Sequence, residues 1–524
     1  MTAKRRSYAT LLTYAGPAFS KSGLYGELAE LDDELAEYSE AKGQAPERAA
    51  AVWEGVERKA KALGLPTEPN ALERELYREK TALIPNGLHI LDKTEQLALI
   101  GALDGKYVPV GPMGNVHKEP DILPTGRNGY AFDPRFVPSE SAYKRGQEIG
   151  KAAMERYYND HGKWPRHTAM VLWGLETAKT HGESIGQLMY YLGLRMVWKG
   201  TSFLSRIEVI PTEELDRPRM DVTVTICGFF RDLFPQLLLD LQHALRELAA
   251  LQENPEQSAF AEQTEKYYHE FQRTGMEESM ARELSISRFF GPRQGEYGTS
   301  LTDVVKSGDW NAESDLSSLY TAELGYVYSE KLKGSYVPGF ISGQLSSVEM
   351  ISQVRDDADY EVTDLDHYYE FTGGLQRAAK AAGAEETETL IVDTAGEGIY
   401  ADTLAEAASR GVRTRILNPK WINGQLAHPF HGGQQIMNRF ENVLGLAATA
   451  ECIPGETFSR MEQTYVGDPE LRRRMQDNNR YAYLAVLDRL LEANRRGYWD
   501  ASKEQLQEIQ DAYLETEGEL EDEV

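Results

Sequence analysis

Four short strand-like runs, alternating with helical patterns, place the tightest constraint on the fold of this chain. The runs are TAMVLW at 168–173, RIEVI at 206–210, DVTVTI at 221–226 and TLIVD at 389–393. Apolar residues recur at helical spacing over 182–192, 233–251 and 375–382. Strands that alternate with helices form parallel βαβ units, so the sequence predicts an α/β, helix-rich fold.

Helical patterns also dominate both flanking segments. Two helices are predicted within 26–63, further ones over 139–159, with Ser139 as N-cap, and over 401–409. We divide the chain into a mostly helical segment at 1–100, an α/β core at 101–335, a second α/β region at 336–455, C-terminal helices at 456–515 and an acidic, solvated tail at 516–524. The core opens with a Pro/Gly-rich loop at 101–133, which is either a linker or a substrate-contacting segment.

Charge and cysteine content exclude several classes of function. The chain has 524 residues with 56 Lys plus Arg against 83 Asp plus Glu, so its formal net charge is −27. Such a surface repels phosphates, and no basic run offsets it, which excludes nucleic-acid binding. Cys227 and Cys452 are too few for a disulfide framework or a four-cysteine zinc site, and they fit a reducing compartment.

Common sequence signals are missing as well. No run approaches the ~20 apolar residues of a membrane helix, and the start lacks the apolar core of a signal peptide, so we expect a soluble, cytoplasmic protein. The motif G-x-x-x-x-G-K-[ST] is absent, so ATP is not expected to bind this chain. We also find no H-E-x-x-H and no G-x-S-x-G.

The most informative segment is VLWGLETAKTHGESIG at 171–186. A strand ends at Trp173, and the ionisable residues Glu176, Lys179, His181 and Glu183 follow it closely. Ligands of parallel sheets bind outside the carboxyl ends of strands, where such groups can tune one another's pKa. The alternative is a solvated loop in which Glu183 only complements a helix dipole.

A second strand end and a histidine pair carry further candidate groups. DVTVTI leads into CGFFRD at 227–232, where Arg231 either binds a carboxylate or only pairs with Asp232. The segment 418–433 holds Lys420, His428 and His431. The two histidines are structural, proton-carrying or metal-ligating, and the proline between them favours a loop.

A fourth polar and aromatic group follows the second α/β pattern. It consists of Asp364, Asp366 and His367, followed by two tyrosines. Ordinary helix-start chemistry is the simpler interpretation of this group.

Several long motifs resemble those of one protein family. They are LPTGRN at 123–128, FDP at 132–134, VLWG at 171–174, KTHGES at 179–184, ELDRPRMDVTVTICGFFRDLFP at 214–235, EYGT at 296–299, YYEFTGGL at 368–375, VRTRILNPKW at 412–421 and LLEANRRGYW at 490–499. In this order they resemble the large subunit of the ATP-dependent, three-component metal chelatases, which include cobaltochelatase and magnesium chelatase. The resemblance covers roughly residues 100–515.

The resemblance implies insertion of a divalent metal, cobalt or magnesium, into a tetrapyrrole, which is a ligase-type reaction. It also implies that Mg-ATP is hydrolysed by a separate AAA+ subunit with its co-subunit. The implied roles are catalytic for Glu176, His181, Glu183 and His428, substrate-binding for Arg127, Trp173, Lys179, Phe229, Arg231 and Lys420, and metal-relaying for Glu176, His181 and His431. A base would remove pyrrole protons, cations would bind ring carboxylates, and aromatic rings would pack on the macrocycle.

The chain departs from the family's pattern in two respects. Family members are usually much longer, so this chain is expected to correspond to their carboxyl-terminal half, with a separate N-terminal-half chain as one candidate partner. Residues 175–178, Leu-Glu-Thr-Ala, stand where the family tends to have Thr-Asp-Asn-Ile. The alternatives are a non-catalytic tetrapyrrole-binding or delivery protein, one half of a split chelatase subunit, and an unrelated metal-dependent α/β enzyme.

Overall fold

The fold is built around an eight-stranded mixed sheet. The computed structural model describes residues 12–14, 19–42, 45–85, 93–113, 122–130, 133–198, 205–384, 386–396 and 398–522. Its strands are β1 Phe19–Lys21, β2 Leu83–Pro85, β3 Val110–Pro112, β4 Asn128–Tyr130, β5 His167–Leu172, β6 Leu194–Trp198, β7 Ser205–Val209, β8 Asp221–Ile226, β9 Phe289–Gly291, β10 Tyr326–Val327, β11 Ser335–Tyr336, β12 Met350–Arg355, β13 Glu388–Asp393 and β14 Tyr400–Thr403. The order in the large sheet is β11-β10-β9-β8-β5-β12-β13-β14.

Five neighbouring strands form a parallel core within this sheet. Strands β9, β8, β5, β12 and β13 run parallel, whereas β10, β11 and β14 are antiparallel to their neighbours. The chain adds β8 and β9 on one side of β5 and later places β12 on its other side. The strand order therefore reverses between β5 and β12, and a reversal of this kind opens a crevice at the carboxyl ends of the two strands. The predicted helix-rich α/β fold is confirmed.

Helices surround the sheet. The α-helices within the described residues are Gly26–Lys42, Pro46–Ala62, Pro69–Thr81, Lys93–Leu103, Glu140–His161, Gly174–Lys179, Glu183–Leu192, Gly228–Leu233, Pro235–Ala250, Ala259–Arg273, Glu278–Ser285, Leu301–Ser307, Glu313–Glu323, Phe340–Leu345, Gly374–Ala381, Leu404–Gly411, Pro419–Leu426, His431–Ala450, Gly455–Tyr465, Pro469–Arg495 and Lys503–Asp522. There are also two π-helical turns among the described residues. Tyr368–Gly373 precedes the helix Gly374–Ala381, and Val412–Ile416 follows the helix Leu404–Gly411. In the part of the chain that the structure describes, no helix is long and apolar enough to cross a membrane.

Alternating side chains of the buried strands pack into two apolar layers, one on each face of the sheet. In β5, Ala169 and Val171 join one layer, whereas Met170 and Leu172 join the other. Because both faces are covered, such strands appear in the sequence as nearly continuous apolar runs. This is why β5 and β13 were predictable, whereas β8 was predictable from its alternating β-branched residues.

Two predictions of secondary structure are wrong in part. The run at 206–210 corresponds to β7, but β7 pairs only with β6 in an antiparallel hairpin outside the central sheet. The predicted helix at 401–409 begins later, because Thr403 and Glu406 form a capping box that starts the helix at Leu404. The residues before this cap pair with β13 as β14.

The ends of two predicted segments also differ from expectation. The predicted acidic tail continues the last helix to Asp522, because Thr516 is buried and accepts a hydrogen bond of 2.9 Å from Gln476 Nε2. Within the predicted loop at 101–133, a helix reaches Leu103 and β3 pairs with β4. Residues 114–121 and 131–132 of that loop lie outside the described part of the chain.

Two helices beside the strand-order reversal cross at a pair of glycines. Gly146 lies in Glu140–His161 and Gly186 in Glu183–Leu192. A Cβ atom on Gly146 would overlap the carbonyl oxygen of Glu183 and lie only 2.6 Å from the Cα atom of Gly186. The crossing therefore depends on the absence of side chains, and it fixes the start of the second helix.

We expect Gly146→Ala to lower the free energy of unfolding by about 1–3 kcal/mol, because overpacking would force the two helices apart. Gly55 is a matched control, since a Cβ atom added there, inside the Pro46–Ala62 helix, meets no atom within 4 Å. Gly55→Ala should leave stability unchanged or raise it by up to about 1 kcal/mol. Urea unfolding measures both variants, and equal effects would contradict the close crossing.

Candidate active site

The loops after the parallel strands gather charged side chains at one edge of the sheet, which we call the strand-end site. The loops after β5 and β12 meet directly, because Lys179 Nζ lies 3.0 Å from Asp356 Oδ2 and 2.9 Å from Asp357 Oδ2. The loop after β13 joins them, since Thr394 Oγ1 donates a hydrogen bond of 3.2 Å to Glu183 Oε2. The site thus occupies the place where the strand order reverses.

Glu176 provides the buried carboxyl group of the strand-end site. It lies in the short Gly174–Lys179 helix and is only 2% exposed. Its carboxylate accepts hydrogen bonds from Ser184 Oγ at 2.7 Å and from Thr180 Oγ1 at 3.1 Å. Burial, and then the charge of Asp356, raise the pKa of Glu176 to about 7. Such a carboxyl group exchanges its proton near neutral pH, which suits a general acid or base.

An acidic loop after β12 supplies three more carboxyl groups. Asp356 and Asp357 form the ion pairs with Lys179, and the backbone N–H of Asp359 donates to Asp357 Oδ1 at 3.0 Å. Burial, and then the neighbouring Asp357 carboxylate, raise the pKa of Asp359 to about 7. One ammonium group therefore lies among several acids, and of these Asp359 exchanges its proton close to neutral pH.

A left-handed turn brings Glu183 back towards Glu176. His181 has a φ of 55° and Gly182 a φ of 100°, so the chain reverses between two short helices. The backbone N–H of Ser139 donates to the carbonyl oxygen of His181 at 3.0 Å and holds this turn. Glu183 is close enough for its charge to contribute to the raised pKa of Glu176. The predicted grouping of these residues at one strand end is present in the structure.

An exposed apolar rim, formed by Leu175, Phe229 and Tyr297, borders the strand-end site. These side chains are 61%, 42% and 56% exposed. Phe229 packs over Gly174, and the backbone N–H of Gly228 donates to the carbonyl oxygen of Tyr297 at 3.0 Å. The apolar rim therefore spans the adjacent loops after β5, β8 and β9. Exposed apolar surface beside charged groups is typical of a ligand-binding site.

Trp173 connects the strand-end site to the group at Asp366 and His367. Its ring packs edge-on against Tyr368 and His367, with centroids 5.2 and 6.1 Å apart. His367 Nδ1 is hydrogen-bonded to Asp366 Oδ1 at 2.8 Å, and this bond raises the pKa of His367. The pair lies beside the site in addition to preceding the π-helical turn Tyr368–Gly373.

Arg231 makes contacts within the protein. Its Nε donates to Asp232 Oδ1 at 2.8 Å, and its Nη1 donates to the carbonyl oxygen of Arg293 at 2.9 Å. Nη1 also lies 3.3 Å from Tyr328 Oη. The geometry supports the alternative in which Arg231 pairs with Asp232 and ties the loops after β8 and β9 together. Its role toward a ring carboxylate stays a prediction.

Lys420, His428 and His431 lie at two other helices. Lys420 Nζ donates to the carbonyl oxygen of Lys21 at 2.6 Å, and Asn478 Nδ2 donates to the carbonyl oxygen of His428 at 2.9 Å. His431 Nε2 accepts a hydrogen bond of 3.0 Å from Gln435. The proline between the histidines separates the helices Pro419–Leu426 and His431–Ala450, as expected. The described contacts of these residues include none to the strand-end loops.

Arg127 and the predicted metal ligands are the last of the site residues predicted from the sequence. The backbone of Arg127 pairs with Thr13 through hydrogen bonds of 2.9 and 3.0 Å, next to β4. Across the described residues, no three His, Cys, Asp or Glu side chains are grouped so that they could hold a metal ion. Glu176, His181 and His431 therefore do not converge on one metal site in this structure.

The acidic loop after β12 was not predicted from the sequence. The run Asp-Asp-Ala-Asp at 356–359 was the available signal. This run did not predict a site because β12 itself was not predicted, and the rule that places ligands at strand ends needs a recognised strand.

Comparison with known proteins identifies the family. A model of the family CobN/Magnesium Chelatase matches residues 1–97 and 91–506. This chain belongs to that family. The resemblance inferred from the motifs is therefore confirmed, and the match extends it into the N-terminal helical segment.

Individual members of the CobN/magnesium chelatase family give the same result. The chain is 33% identical to the magnesium-chelatase H subunit of Rhodobacter capsulatus, over 99% of this chain and 45% of that protein. It is 31% identical to the aerobic cobaltochelatase subunit CobN of Sinorhizobium sp., over 77% of this chain and 32% of that protein. A solved structure, the catalytic subunit of cobaltochelatase from Mycobacterium tuberculosis, matches 98% of this chain and 53% of that chain with a TM-score of 0.91 and 25% identity. The chain thus spans less than half the length of these two curated relatives.

The raised pKa of Glu176 makes stability depend on pH. A glutamate in the unfolded chain titrates near 4.5, whereas Glu176 in the folded chain titrates near 7. The stabilisation from the protonated carboxyl group is therefore complete below pH 4.5 and is lost as the pH rises through about 7.

We expect Glu176→Gln to match the wild type in stability near pH 4.5 and to exceed it by up to about 3 kcal/mol at pH 8. Glutamine keeps the neutral shape of the protonated carboxyl group and never acquires its buried charge. Urea unfolding at the two pH values measures the difference. Glu148→Gln, on the exposed face of Glu140–His161, is the control for loss of a glutamate charge. A pH-independent effect of Glu176→Gln would contradict the buried, protonated carboxyl group.

Proposed function

We propose that this chain provides the tetrapyrrole-binding, catalytic region of a metal chelatase large subunit, which inserts cobalt or magnesium into a tetrapyrrole. The observation that carries the proposal is a buried carboxyl group with a pKa of about 7, Glu176, at the strand-order reversal. The exposed apolar rim next to it and membership of the CobN/magnesium chelatase family support the same function.

Metal insertion requires that two pyrrole N–H protons leave the ring and that the metal ion loses its water. In the proposed reaction Glu176 accepts a pyrrole proton, while Ser184 and Thr180 orient its carboxylate. Glu183 and His181 offer an oxygen and a nitrogen ligand through which the incoming metal ion passes. The carboxylate oxygen suits magnesium and the imidazole nitrogen suits transition metals such as cobalt, which is why both metals remain in the proposal.

The proposed roles of the other residues follow from their positions around the strand-end site. Phe229, in the apolar rim, and Trp173 would pack against the flat ring. Lys179 lies among acids, so its proposed role is to balance their charge next to the ring as well as to bind a ring carboxylate.

The proposed partners are the other components of a three-component chelatase. Mg-ATP would be hydrolysed by a separate AAA+ subunit and its co-subunit, since the sequence has no G-x-x-x-x-G-K-[ST] motif. The rest of the relatives' length would be supplied by further polypeptide, and one half of a split subunit is one form of this proposal.

A non-catalytic tetrapyrrole-binding or delivery protein is the second candidate. The burial of Glu176 beneath two hydroxyl groups favours it, because the carboxyl group must become accessible before it can receive a ring proton. Both candidates predict a visible-spectrum change on tetrapyrrole binding. Only the first predicts ATP-dependent metal insertion in the presence of partner subunits.

In the assembled system, we expect Glu176→Gln to lower the metal-insertion rate by roughly 100-fold or more, because a proton acceptor is lost. Alanine at His181 should also abolish insertion. Absorption titration should show tetrapyrrole binding within about threefold of the wild type, since neither change touches the apolar rim. Wild-type turnover in both variants would contradict the assigned roles, and Glu148→Gln serves as the control.

We expect Phe229→Ala to weaken tetrapyrrole binding by about five- to tenfold, because an aromatic contact with the ring is lost. Tyr158→Ala is the matched control, because Tyr158, on the Glu140–His161 helix, is as exposed as Phe229 at 42%. Fluorescence quenching by the tetrapyrrole measures both dissociation constants. Equal affinities of the two variants would show that the apolar rim does not contact the ring.

A further inference from the structure

A fully buried arginine with unpaired donors lies beyond the strand-end site. Arg415 belongs to the π-helical turn Val412–Ile416 and is 0% exposed. Its Nε donates to Asp364 Oδ2 at 3.3 Å. Nη1 and Nη2 have no hydrogen-bond acceptor among the described residues.

A second arginine shares the same carboxylate. Arg439 Nε donates to Asp364 Oδ1 at 2.9 Å, and Arg439 Nη1 donates to Gln435 Oε1 at 2.5 Å. Two guanidinium groups therefore face one carboxylate. We call Arg415, Arg439 and Asp364 the arginine site.

A buried cation with unpaired donors is unfavourable, because the protein interior replaces none of its hydrogen bonds to water. The described side chains offer these two nitrogens no acceptor. An anionic acceptor from outside the chain would satisfy these two donors. The planar fork of a guanidinium matches a carboxylate best, since two parallel N–H groups reach its two oxygens.

One residue of the arginine site lies on the loop that follows β12. Asp364 belongs to this loop, as do the acids at 356–359 of the strand-end site. The Arg415 charge also acts on Asp359, where it opposes the rise in pKa. Tyr360, next in the chain, is 42% exposed.

We propose that Arg415 and Arg439 bind a peripheral carboxylate of the tetrapyrrole. This inference rests on the proposed function and specifies how the ring is anchored. The cations predicted for that role from the sequence are already engaged, since Arg231 pairs with Asp232 and Lys420 with the carbonyl oxygen of Lys21. Arg415 pairs with Asp364 through Nε alone, and its Nη1 and Nη2 have no acceptor among the described residues.

The test compares deuteroporphyrin IX with its dimethyl ester, which has the same ring without charged carboxylates. The wild-type chain should bind the free acid at least roughly tenfold more tightly than the ester. Arg415→Gln should bind the free acid and the ester with dissociation constants within about twofold of each other. Arg415→Lys keeps the charge but not the planar fork, so its preference for the free acid should lie between those of the wild type and Arg415→Gln. Absorption titration gives the dissociation constants.

Arg413→Gln is the matched control. Arg413 is a buried arginine of the same turn, but its Nε is paired with Glu79 Oε1 at 2.5 Å. Its loss should lower stability, measured by thermal unfolding, while the preference for the free acid is retained. Loss of the preference in this control would show that it reflects the fold of the turn and would overturn the assignment to Arg415.

The outcomes separate this inference from the proposed function. A preference for the free acid that survives in Arg415→Gln overturns the arginine site as the anchor. Equal binding of acid and ester by the wild type, with a rise in melting temperature in inorganic phosphate, identifies a free anion and also overturns it. Failure of the wild type to bind either porphyrin defeats the proposed function itself.

Discussion

A small buried hydrogen-bond network holds β12 in place, and the strand-end site depends on it. Ser352 Oγ in β12 lies 3.2 Å from Gln187 Nε2 and 3.0 Å from Tyr191 Oη, and these two side chains are 2.9 Å apart. A buried polar network of this kind tolerates one register only, because a slip of one residue would turn every strand side chain to the opposite face. The register in turn places Asp356 against Lys179.

The kind of side chain that each strand buries explains which parts of the fold could be predicted from the sequence. β5 and β13 contribute side chains to the apolar layers on both faces, and β8 contributes to one of them with alternating valine and threonine residues, so their composition identified them. β12 has the sequence Met-Ile-Ser-Gln-Val-Arg, whose polar residues are buried but engaged in hydrogen bonds. No composition rule separates such a strand from a loop. The capping box at Thr403 similarly hid β14, because four residues before a strong helix start carry little strand signal.

The candidate site was predictable where chemistry and a strand end coincide in the sequence. Glu176, His181 and Glu183 follow β5 directly, and the structure keeps them together. His431 and Lys420 lie in a segment rich in candidate chemistry, but the sequence does not indicate which loop this segment faces. The unpaired donors of Arg415 could not be found either, because a motif such as VRTRILNPKW gives the charges and not their partners.

The two edges of the central sheet are closed in different ways. At one edge, Arg156 Nη1 donates to the outward carbonyl oxygen of Ala401 in β14 at 3.0 Å, and Arg78 pairs with Asp402 at 2.7 Å. At the other edge, β11 contains only two residues. Open edges recruit strands from other chains, and short or covered edges resist this. Within the described residues, neither edge of the central sheet therefore offers a long, open backbone ladder to a strand from another chain, so edge-to-edge pairing is disfavoured while the sheet itself stays intact.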